Sequence, residues 1–249
     1  MTKKILSIGI LFLTISLSAQ ITKVKEINNE GNKSSNPTNI FVFNDELYFA
    51  ADDSNGSNSP GSEDLGKELW VTDGTEAGTA LVKDLRTGSD SSSPSFFFNF
   101  NSTMYFSANT GSGNVLFSSD GTAGNTIATG GGFIFNPTIL DGLVYYVSTT
   151  TGNSLNQFDG TTLSAVAGSG IENLLGANLI AYQNKIFCYM ETSADAATIG
   201  KELYAYDPAA DTFTIIKDIT GDDGDSGITG FTVVGNELYF EALDKLWKT

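Results

Sequence analysis

The sequence of 249 residues contains no histidine and a single cysteine, Cys188. These two absences exclude histidine-dependent catalytic triads, imidazole metal ligands, an internal disulfide and a cysteine-rich zinc site. Basic residues are also scarce, because 13 Lys and Arg stand against 29 Asp and Glu and give a formal net charge of −16. A chain this acidic is repelled by phosphate backbones, so nucleic acid is not expected as a partner.

The first 19 residues have the pattern of a secretory signal peptide. Lys3 and Lys4 precede an apolar run over residues 5–17, and the small residues Ser18 and Ala19 follow. We expect cleavage after Ala19, which would leave 11 basic and 29 acidic residues and a net charge of about −18. The run is shorter than the ~20 apolar residues that a spanning helix needs. The sequence therefore predicts export to the periplasm, cell surface or medium, with no transmembrane segment.

A repeated pattern of short apolar strands occupies the remainder of the chain. Five apolar triplets share one context, and their central residues lie 57, 40, 42 and 52 positions apart. The triplets are residues 47–49, 104–106, 144–146, 186–188 and 238–240. Each triplet follows a two-residue turn of a type that tolerates positive φ, and an apolar stretch precedes each turn. This spacing predicts five β-hairpins.

A third and a fourth strand follow each of the first four triplets. Each unit is therefore four antiparallel strands within ~40–55 residues, which is the period of propeller blades. Both faces of the strands are apolar, which favours stacked blades over a β-sandwich with one wet face. We predict an all-β propeller over residues 20–249, with blades at residues 36–87, 94–130, 136–168, 178–219 and 228–249 plus 22–28.

Residues 68–79 carry the segment ELWVTDGTEAGT, which resembles the ELWxxDGTxxGT repeat of secreted and surface proteins in bacteria that use type IX secretion. Residues 120–122 and 159–161 keep Asp-Gly-Thr, and residues 202–203 keep Glu-Leu. The resemblance covers essentially the whole chain after residue 19. It implies a propeller-like surface protein and no established chemistry. The sorting domain that often ends such proteins is not present in this sequence.

The two ends of the repeat region complement each other. Residues 24–27 align with 82–85 and 216–219, which are predicted fourth strands, whereas residues 228–249 supply three strands and stop. One hypothesis is a five-bladed ring that the N-terminal strand closes, which would pair both free edges. The alternative is an open piece of a larger propeller, and the sequence leaves both open.

The long loops are predicted to lie at one end of the blades, where strand two joins strand three and strand four joins the next blade. They carry ten acidic residues: Glu30, Asp52, Asp53, Glu63, Asp64, Asp90, Asp195, Asp222, Asp223 and Asp225. We expect the binding surface of such a scaffold at this loop-rich, charged face.

Residues 222–227, with the sequence DDGDSG, are the strongest candidate for a metal site. Three carboxylates and flexible glycines suit the oxygen coordination of Ca²⁺. The segment lacks the 12-residue frame and the closing Glu of an EF-hand, and a solvated turn is the simpler interpretation. We therefore assign no catalytic, cofactor-binding or metal residue, and Ca²⁺ is retained only as an alternative to no cofactor.

These features favour a non-enzymatic interaction or adhesion module whose partner is an unidentified protein or glycan. The first alternative is a polysaccharide hydrolase or lyase, since a carboxylate pair near a propeller axis can act as acid and base. The predicted inner strands contain no Asp or Glu, which counts against that mechanism. The second alternative is a fragment of a larger surface protein. Cys188, which has no His or basic neighbour, is predicted to be a buried and inert thiol.

Overall fold

A computed structural model of the chain describes residues 21–28, 34–53, 64–148, 153–166, 171–172, 174, 179–192 and 195–249. These residues form strands and turns, and no helix occurs among them. In the same ranges, no helical segment has the length and apolar character needed to cross a bilayer. The predicted signal peptide lies outside the described residues.

The described strands form five antiparallel sheets. Sheet 1 contains β1 (Thr38–Phe43), β2 (Glu46–Asp52), β3 (Lys67–Thr72) and β4 (Ala80–Lys83). Sheet 2 contains β5 (Ser95–Phe100), β6 (Thr103–Asn109), β7 (Asn114–Ser119) and β8 (Ile127–Gly130). Sheet 3 contains β9 (Ile134–Leu140), β10 (Leu143–Ser148), β11 (Ser154–Phe158) and β12 (Leu163–Ala165). In each of these sheets the strands are hydrogen-bonded in chain order.

The last two sheets depart from this regular pattern. Sheet 4 contains β13 (Ile171–Glu172), β14 (Ile180–Tyr182), β15 (Lys185–Thr192), β16 (Glu202–Asp207) and β17 (Thr212–Lys217). Both β13 and β14 pair with β15, so its first strand is in two pieces. Sheet 5 contains β18 (Thr229–Val234), β19 (Glu237–Ala242) and β20 (Lys245–Lys248). The prediction of an all-β chain of blade-like sheets is confirmed.

The predicted hairpin turns have the backbone conformation that their residue types favour. Asn44 and Asp45 both have positive φ, at 51° and 64°. Both central residues also have positive φ in the next three hairpins. In the fifth hairpin Gly235 has positive φ and Asn236 does not. Turns of these two kinds match the right-handed twist of the strands they connect. The turn residues therefore set the register of each hairpin.

Apolar side chains between consecutive sheets form the core. Tyr48 and Leu69 of sheet 1 pack against Met104 and Phe106 of sheet 2, all almost fully buried. Similar clusters join sheet 2 to sheet 3, sheet 3 to sheet 4, and sheet 4 to sheet 5. Burying ~150–250 Å² per aromatic side chain makes these interfaces the main source of stability. The sheets thus stack face to face in chain order, as blades do.

Closure of the ring is not seen in the described residues. Residues 22–28, predicted as the fourth strand of the last blade, form no strand, and sheet 5 has three strands. Instead, Ile27 packs on Phe49 and Trp70 of sheet 1, and Lys25 Nζ donates to the carbonyl of Thr79. These contacts with Phe49, Trp70 and the Thr79 carbonyl hold the segment on sheet 1.

Each residue of the Asp-Gly-Thr segment has a structural role. Asp73 Oδ1 accepts hydrogen bonds from the Thr75 amide and hydroxyl, at 2.8 and 2.7 Å. Gly74 has φ +92°, and a Cβ at Gly78 would lie 2.1 Å from Asp73 Oδ1. The Thr79 hydroxyl, which is buried, bonds the Thr72 hydroxyl at 2.7 Å. The same arrangement recurs with Asp120 and Thr122, and with a buried Ser119 and Thr126 pair.

The three turn aspartates are expected to make the fold sensitive to acid. Hydrogen bonds from the following threonines hold the pKa values of Asp73, Asp120 and Asp159 below the ordinary 3.8, with Asn125 contributing most at Asp120. A lowered folded pKa adds stability that is present above the ordinary value and is lost as pH falls through the folded value. When pH is lowered from about 5 to about 2, the melting temperature of the triple Asp→Asn variant should therefore fall less than that of the wild type. Equal losses in the two proteins, measured by circular dichroism, would contradict this role.

Candidate functional site

The loop-rich end of sheet 1 is fixed by a buried carboxylate. Glu68, in β3, is fully buried, and its two oxygens accept hydrogen bonds from the Leu85 amide, the Ser92 amide and the Ser92 hydroxyl at 2.8, 2.8 and 2.6 Å. The Ser93 amide in turn donates to the carbonyl of Lys67 at 3.0 Å. Burial raises the pKa of Glu68, and the hydrogen bonds from Ser92 and Leu85 oppose that shift. This single side chain anchors the loop between sheets 1 and 2.

The same device occurs at the loop between sheets 4 and 5. Glu202 is fully buried and accepts hydrogen bonds from the Ile219 amide at 2.9 Å and from the amide and hydroxyl of Thr220, the hydroxyl at 2.9 Å. The Ser226 amide donates to the Lys201 carbonyl, as Ser93 does to Lys67. We call the two arrangements, centred on Glu68 and Glu202, the loop clamps.

Glycine at the start of each clamp allows the loop to approach the strand. A Cβ at Gly66 would lie 2.9 Å from the carbonyl carbon of Asp90, and one at Gly200 would lie 2.4 Å from the carbonyl oxygen of Gly224. Both glycines also have positive φ, at 69° and 74°. Only glycine meets both conditions without displacing the loop backbone.

The predicted acidic residues near sheet 1 mostly bind their own loops. Asp53 accepts from the Leu65 amide and Asp64 from the Gly66 amide, each at 3.0 Å. Asp90 forms an ion pair with Arg86 at 2.8 Å. The amide of Asp52 donates to the carbonyl of Ser35. Glu30 and Glu63 lie outside the described residues.

The acidic residues near sheets 4 and 5 are engaged in the same way. Asp195 Oδ2 accepts from the Thr192 and Tyr204 hydroxyls, both at 2.6 Å, and these bonds lower its pKa. Asp225 bonds the amide and Nζ of Lys201, at 2.8 and 3.1 Å. Among the described residues of this end, Asp223 makes no side-chain hydrogen bond. The carboxylates of Asp195 and Asp225 thus serve as loop anchors.

Two of the three candidate Ca²⁺ ligands at residues 222–227 have partners of their own. Asp222 Oδ1 accepts from the Gly224 amide at 3.0 Å, and Asp225 faces Lys201. Within the ranges that the structure covers, no group of three or more acidic or thiol side chains is arranged to hold a metal ion. Binding of Ca²⁺ therefore stays a prediction, which calorimetry can test.

An open aromatic cavity lies where the first strands of sheets 1 and 2 begin. It has a volume of about 230 Å³ and is lined by Asn39, Ile40, Phe41, Phe96 and Phe97. The rings of Phe41 and Phe97 stack with their centroids 5.8 Å apart. Asn39 Nδ2 donates to the Pro94 carbonyl at 2.9 Å and so ties β1 to the loop before β5. The cavity is at the same end as the loop clamps.

Phe96 continues this cavity into a second aromatic group. Its ring lies 5.2 Å from that of Phe133 and 4.7 Å from that of Phe135. All three rings are half-buried. Partly exposed aromatic groups within a concave surface are typical of ligand-binding sites. The cavity and the three rings together are called the aromatic site below.

The backbone at Phe96 is strained. The first strand of sheets 1, 2, 3 and 5 contains a β-bulge of two unpaired residues. The first of the two has positive φ in each sheet: Asn39, Phe96, Asn136 and Gly230. Asparagine and glycine adopt this conformation readily, whereas phenylalanine at φ +53° costs about 1 kcal/mol or more. Strain of this kind is concentrated at functional sites.

Cys188 is fully buried, as predicted, and burial raises the pKa of its thiol. Sequence reasoning missed the roles of Glu68 and Glu202 and of the strained Phe96. The tetrapeptide Gly-Lys-Glu-Leu, present at residues 66–69 and 200–203, was the available signal for the clamps. The signal for Phe96 was a phenylalanine at a repeat position that elsewhere holds asparagine or glycine.

No family model matches the chain, and no curated protein matches it. Solved structures resemble it weakly. A puromycin hydrolase mutant has a TM-score of 0.48 and 13% identity over 78% of this chain and 31% of its own. An acylaminoacyl peptidase from Pyrococcus horikoshii has a TM-score of 0.47 and 13% identity, over 81% of this chain and 32% of its own. A family 117 glycoside hydrolase from Zobellia galactanivorans has a TM-score of 0.39 and 13% identity, over 88% of this chain and 83% of its own. The chain thus spans about a third of the length of the first two proteins.

Proposed function

We propose that this chain is an exported, non-enzymatic propeller-like module that binds an extracellular glycan at the aromatic site. The signal-peptide pattern supports export, and the resemblance of residues 68–79 to the ELWxxDGT repeat supports a surface role. The observation that carries the binding proposal is the strained Phe96, because its ring lies between the cavity and Phe133 and Phe135. An aromatic face suits the apolar face of a sugar ring, and amide groups such as Asn39 suit its hydroxyls.

The arrangement of carboxylates favours binding over hydrolysis. A glycosidase needs two carboxyl groups across the scissile bond. The strands β1, β5, β9, β14 and β18 contain no Asp or Glu, and the described first strands include one acidic residue, Glu172 in β13. Glu68 and Glu202 are buried and occupied by the loops that they anchor. Sugar release from a polysaccharide panel would replace this proposal with the hydrolase alternative.

The substitution Phe96→Asn tests the aromatic site. Asparagine is the residue at the equivalent bulge positions Asn39 and Asn136, so the backbone strain is relieved while the ring is lost. We expect a glycan identified on an array to bind at least tenfold more weakly, since ~1.4 kcal/mol corresponds to a factor of ten. Calorimetry measures the change, and the melting temperature should not fall by more than a few degrees.

Phe213→Asn is the matched control. Phe213 is also half-buried and packs on one aromatic neighbour, Tyr206, at 4.8 Å, but it lies in β17 of sheet 4. Its replacement should leave glycan affinity unchanged. Equal loss of affinity in the two variants, or unchanged affinity in Phe96→Asn, would place the ligand elsewhere.

A further inference from the structure

The stack of five sheets has two open ends. At one end, sheet 1 exposes Ile40 and Val42, which are 68% and 64% accessible, beside a groove of about 250 Å³. At the other end, sheet 5 exposes Leu246, which is 78% accessible, and Val234. Among the described residues, no hydrophobic cluster, ring pair or hydrogen bond joins sheet 5 to sheet 1. Exposed apolar surface of this kind marks an interaction site.

Both open surfaces have buried counterparts elsewhere in the molecule. By repeat position, Tyr239 and Leu246 of sheet 5 correspond to Tyr48 and Leu69 of sheet 1, which are buried against sheet 2. Leu47 and Phe49 of sheet 1 correspond in the same way to Met104 and Phe106 of sheet 2. The two open ends are therefore the two halves of the same sheet-to-sheet interface.

Residues 21–28 lie against sheet 1 in the position that the outer, fourth strand of a neighbouring sheet would take. Lys83, in the outer strand β4, donates to the carbonyl of Thr126 in the next sheet at 2.6 Å. Lys25, the repeat equivalent of Lys83, donates to the carbonyl of Thr79, the equivalent of Thr126, at 2.7 Å. This segment thus lies against sheet 1 as β4 lies against sheet 2.

At sheet 5 the matching contact between an outer strand and the next sheet is missing. Lys217 of β17 pairs with Leu203 as Lys83 pairs with Leu69, but it makes no hydrogen bond to any described residue. The acceptor that Lys83 uses, Thr126, precedes the outer strand of the next sheet, and sheet 5 has no such strand. The free edge of β20 lies beside this gap, and a free edge can pair with another chain.

We propose that the open end of sheet 5 docks onto sheet 1 of a second copy of this chain, with residues 22–25 of that copy pairing with β20. The register follows from sheet 1, where Leu69 pairs with Lys83 and Val71 pairs with Ala80. Leu246 then pairs with Lys25, and Lys248 pairs with Thr22. The contact is head-to-tail, so it can extend beyond a dimer. It shares Ile40 with the aromatic cavity, but it does not rest on glycan binding there.

The substitution Leu246→Asp tests the contact. The average mass of the purified chain, measured by light scattering after gel filtration, should rise with concentration, and Leu246→Asp should weaken association at least tenfold. The matched control is Leu243→Asp, because Leu243 is also exposed but lies in the turn before β20. A monomeric wild type at every concentration, or equal weakening by the control, overturns the proposal.

A cysteine pair distinguishes a second copy from closure of the chain on itself. Cysteines at paired positions of antiparallel strands lie within disulfide distance. Oxidation of Thr22→Cys/Lys248→Cys should give cross-linked dimers and larger species, and each single variant should give no ladder. A cross-linked monomer means that the ring closes within one chain. That outcome, or the absence of any cross-link, contradicts docking between copies.

Discussion

Replacing Glu68 by alanine should lower the free energy of unfolding by about 4 kcal/mol. The variant leaves the buried Ser92 amide and hydroxyl and the Leu85 amide without their acceptor. An orphaned buried donor costs about 1–3 kcal/mol, and a small domain has only ~5–15 kcal/mol of stability in total. Urea unfolding measures the loss.

Two further variants separate the lost hydrogen bonds from general damage. Glu68→Gln keeps one acceptor oxygen and the side-chain volume, so it should cost about half as much. Glu76→Ala removes an exposed carboxylate whose residue contributes only a backbone carbonyl to Lys25, and it should change stability little. If Glu68→Ala is no worse than Glu76→Ala, the clamp is not a major source of stability.

The pH dependence of the Glu68 variants has a definite sign. Burial raises the folded pKa of Glu68 above its ordinary 4.5, so the folded state binds this proton more tightly than the unfolded state does. The contribution of Glu68 to stability therefore grows as pH falls through the raised pKa toward 4.5. The stability difference between wild type and Glu68→Gln should widen over that range.

The second large effect is expected for Gly200→Ala, at about 3 kcal/mol of lost stability. An alanine Cβ would lie 2.4 Å from the Gly224 carbonyl oxygen, and φ is +74°. Because the obstacle is backbone, the loop between sheets 4 and 5 must move, and the bond from Ser226 to Lys201 moves with it. Faster amide hydrogen exchange over residues 220–227 should accompany the loss.

Gly221→Ala is the control for Gly200. Gly221 lies in the loop between sheets 4 and 5 at φ +75°, and no atom lies within 4 Å of the place that a Cβ would take there. This variant therefore shows the cost of positive φ alone, about 1 kcal/mol. The difference between the two alanines measures the clash. Equal losses would mean that the close approach of the loop contributes nothing.

Local chemistry explains why so much of the fold could be predicted. The turn pairs such as Asn44 and Asp45 have residue types that accept positive φ. The apolar triplets next to them are buried on both faces, except at Leu47 and Tyr239. Hydrogen bonds in the Asp-Gly-Thr segment join residues at most seven positions apart. Signals of this range are visible in a single repeat, and comparison of the repeats reinforces them.

The candidate site was less predictable because its contacts are long-range. The acidic residues were expected to lie on one loop-rich face. Their individual partners, such as Lys201 for Asp225 and Tyr204 for Asp195, could not be read from composition. Glu68 reaches Ser92 across 24 positions. The strain at Phe96 depends on where the bulge lies in β5, and pairing with β6 decides that position.

The sequence by itself determined the hairpins, the turns and the four-stranded unit, since each depends on residues close together in the chain. It also excluded histidine chemistry and disulfides by composition. Only the tertiary structure decided which carboxylates anchor loops, where the aromatic rings meet, and that residues 21–28 lie on sheet 1. Those outcomes depend on packing between sheets, which selects among partners that local sequence leaves equivalent.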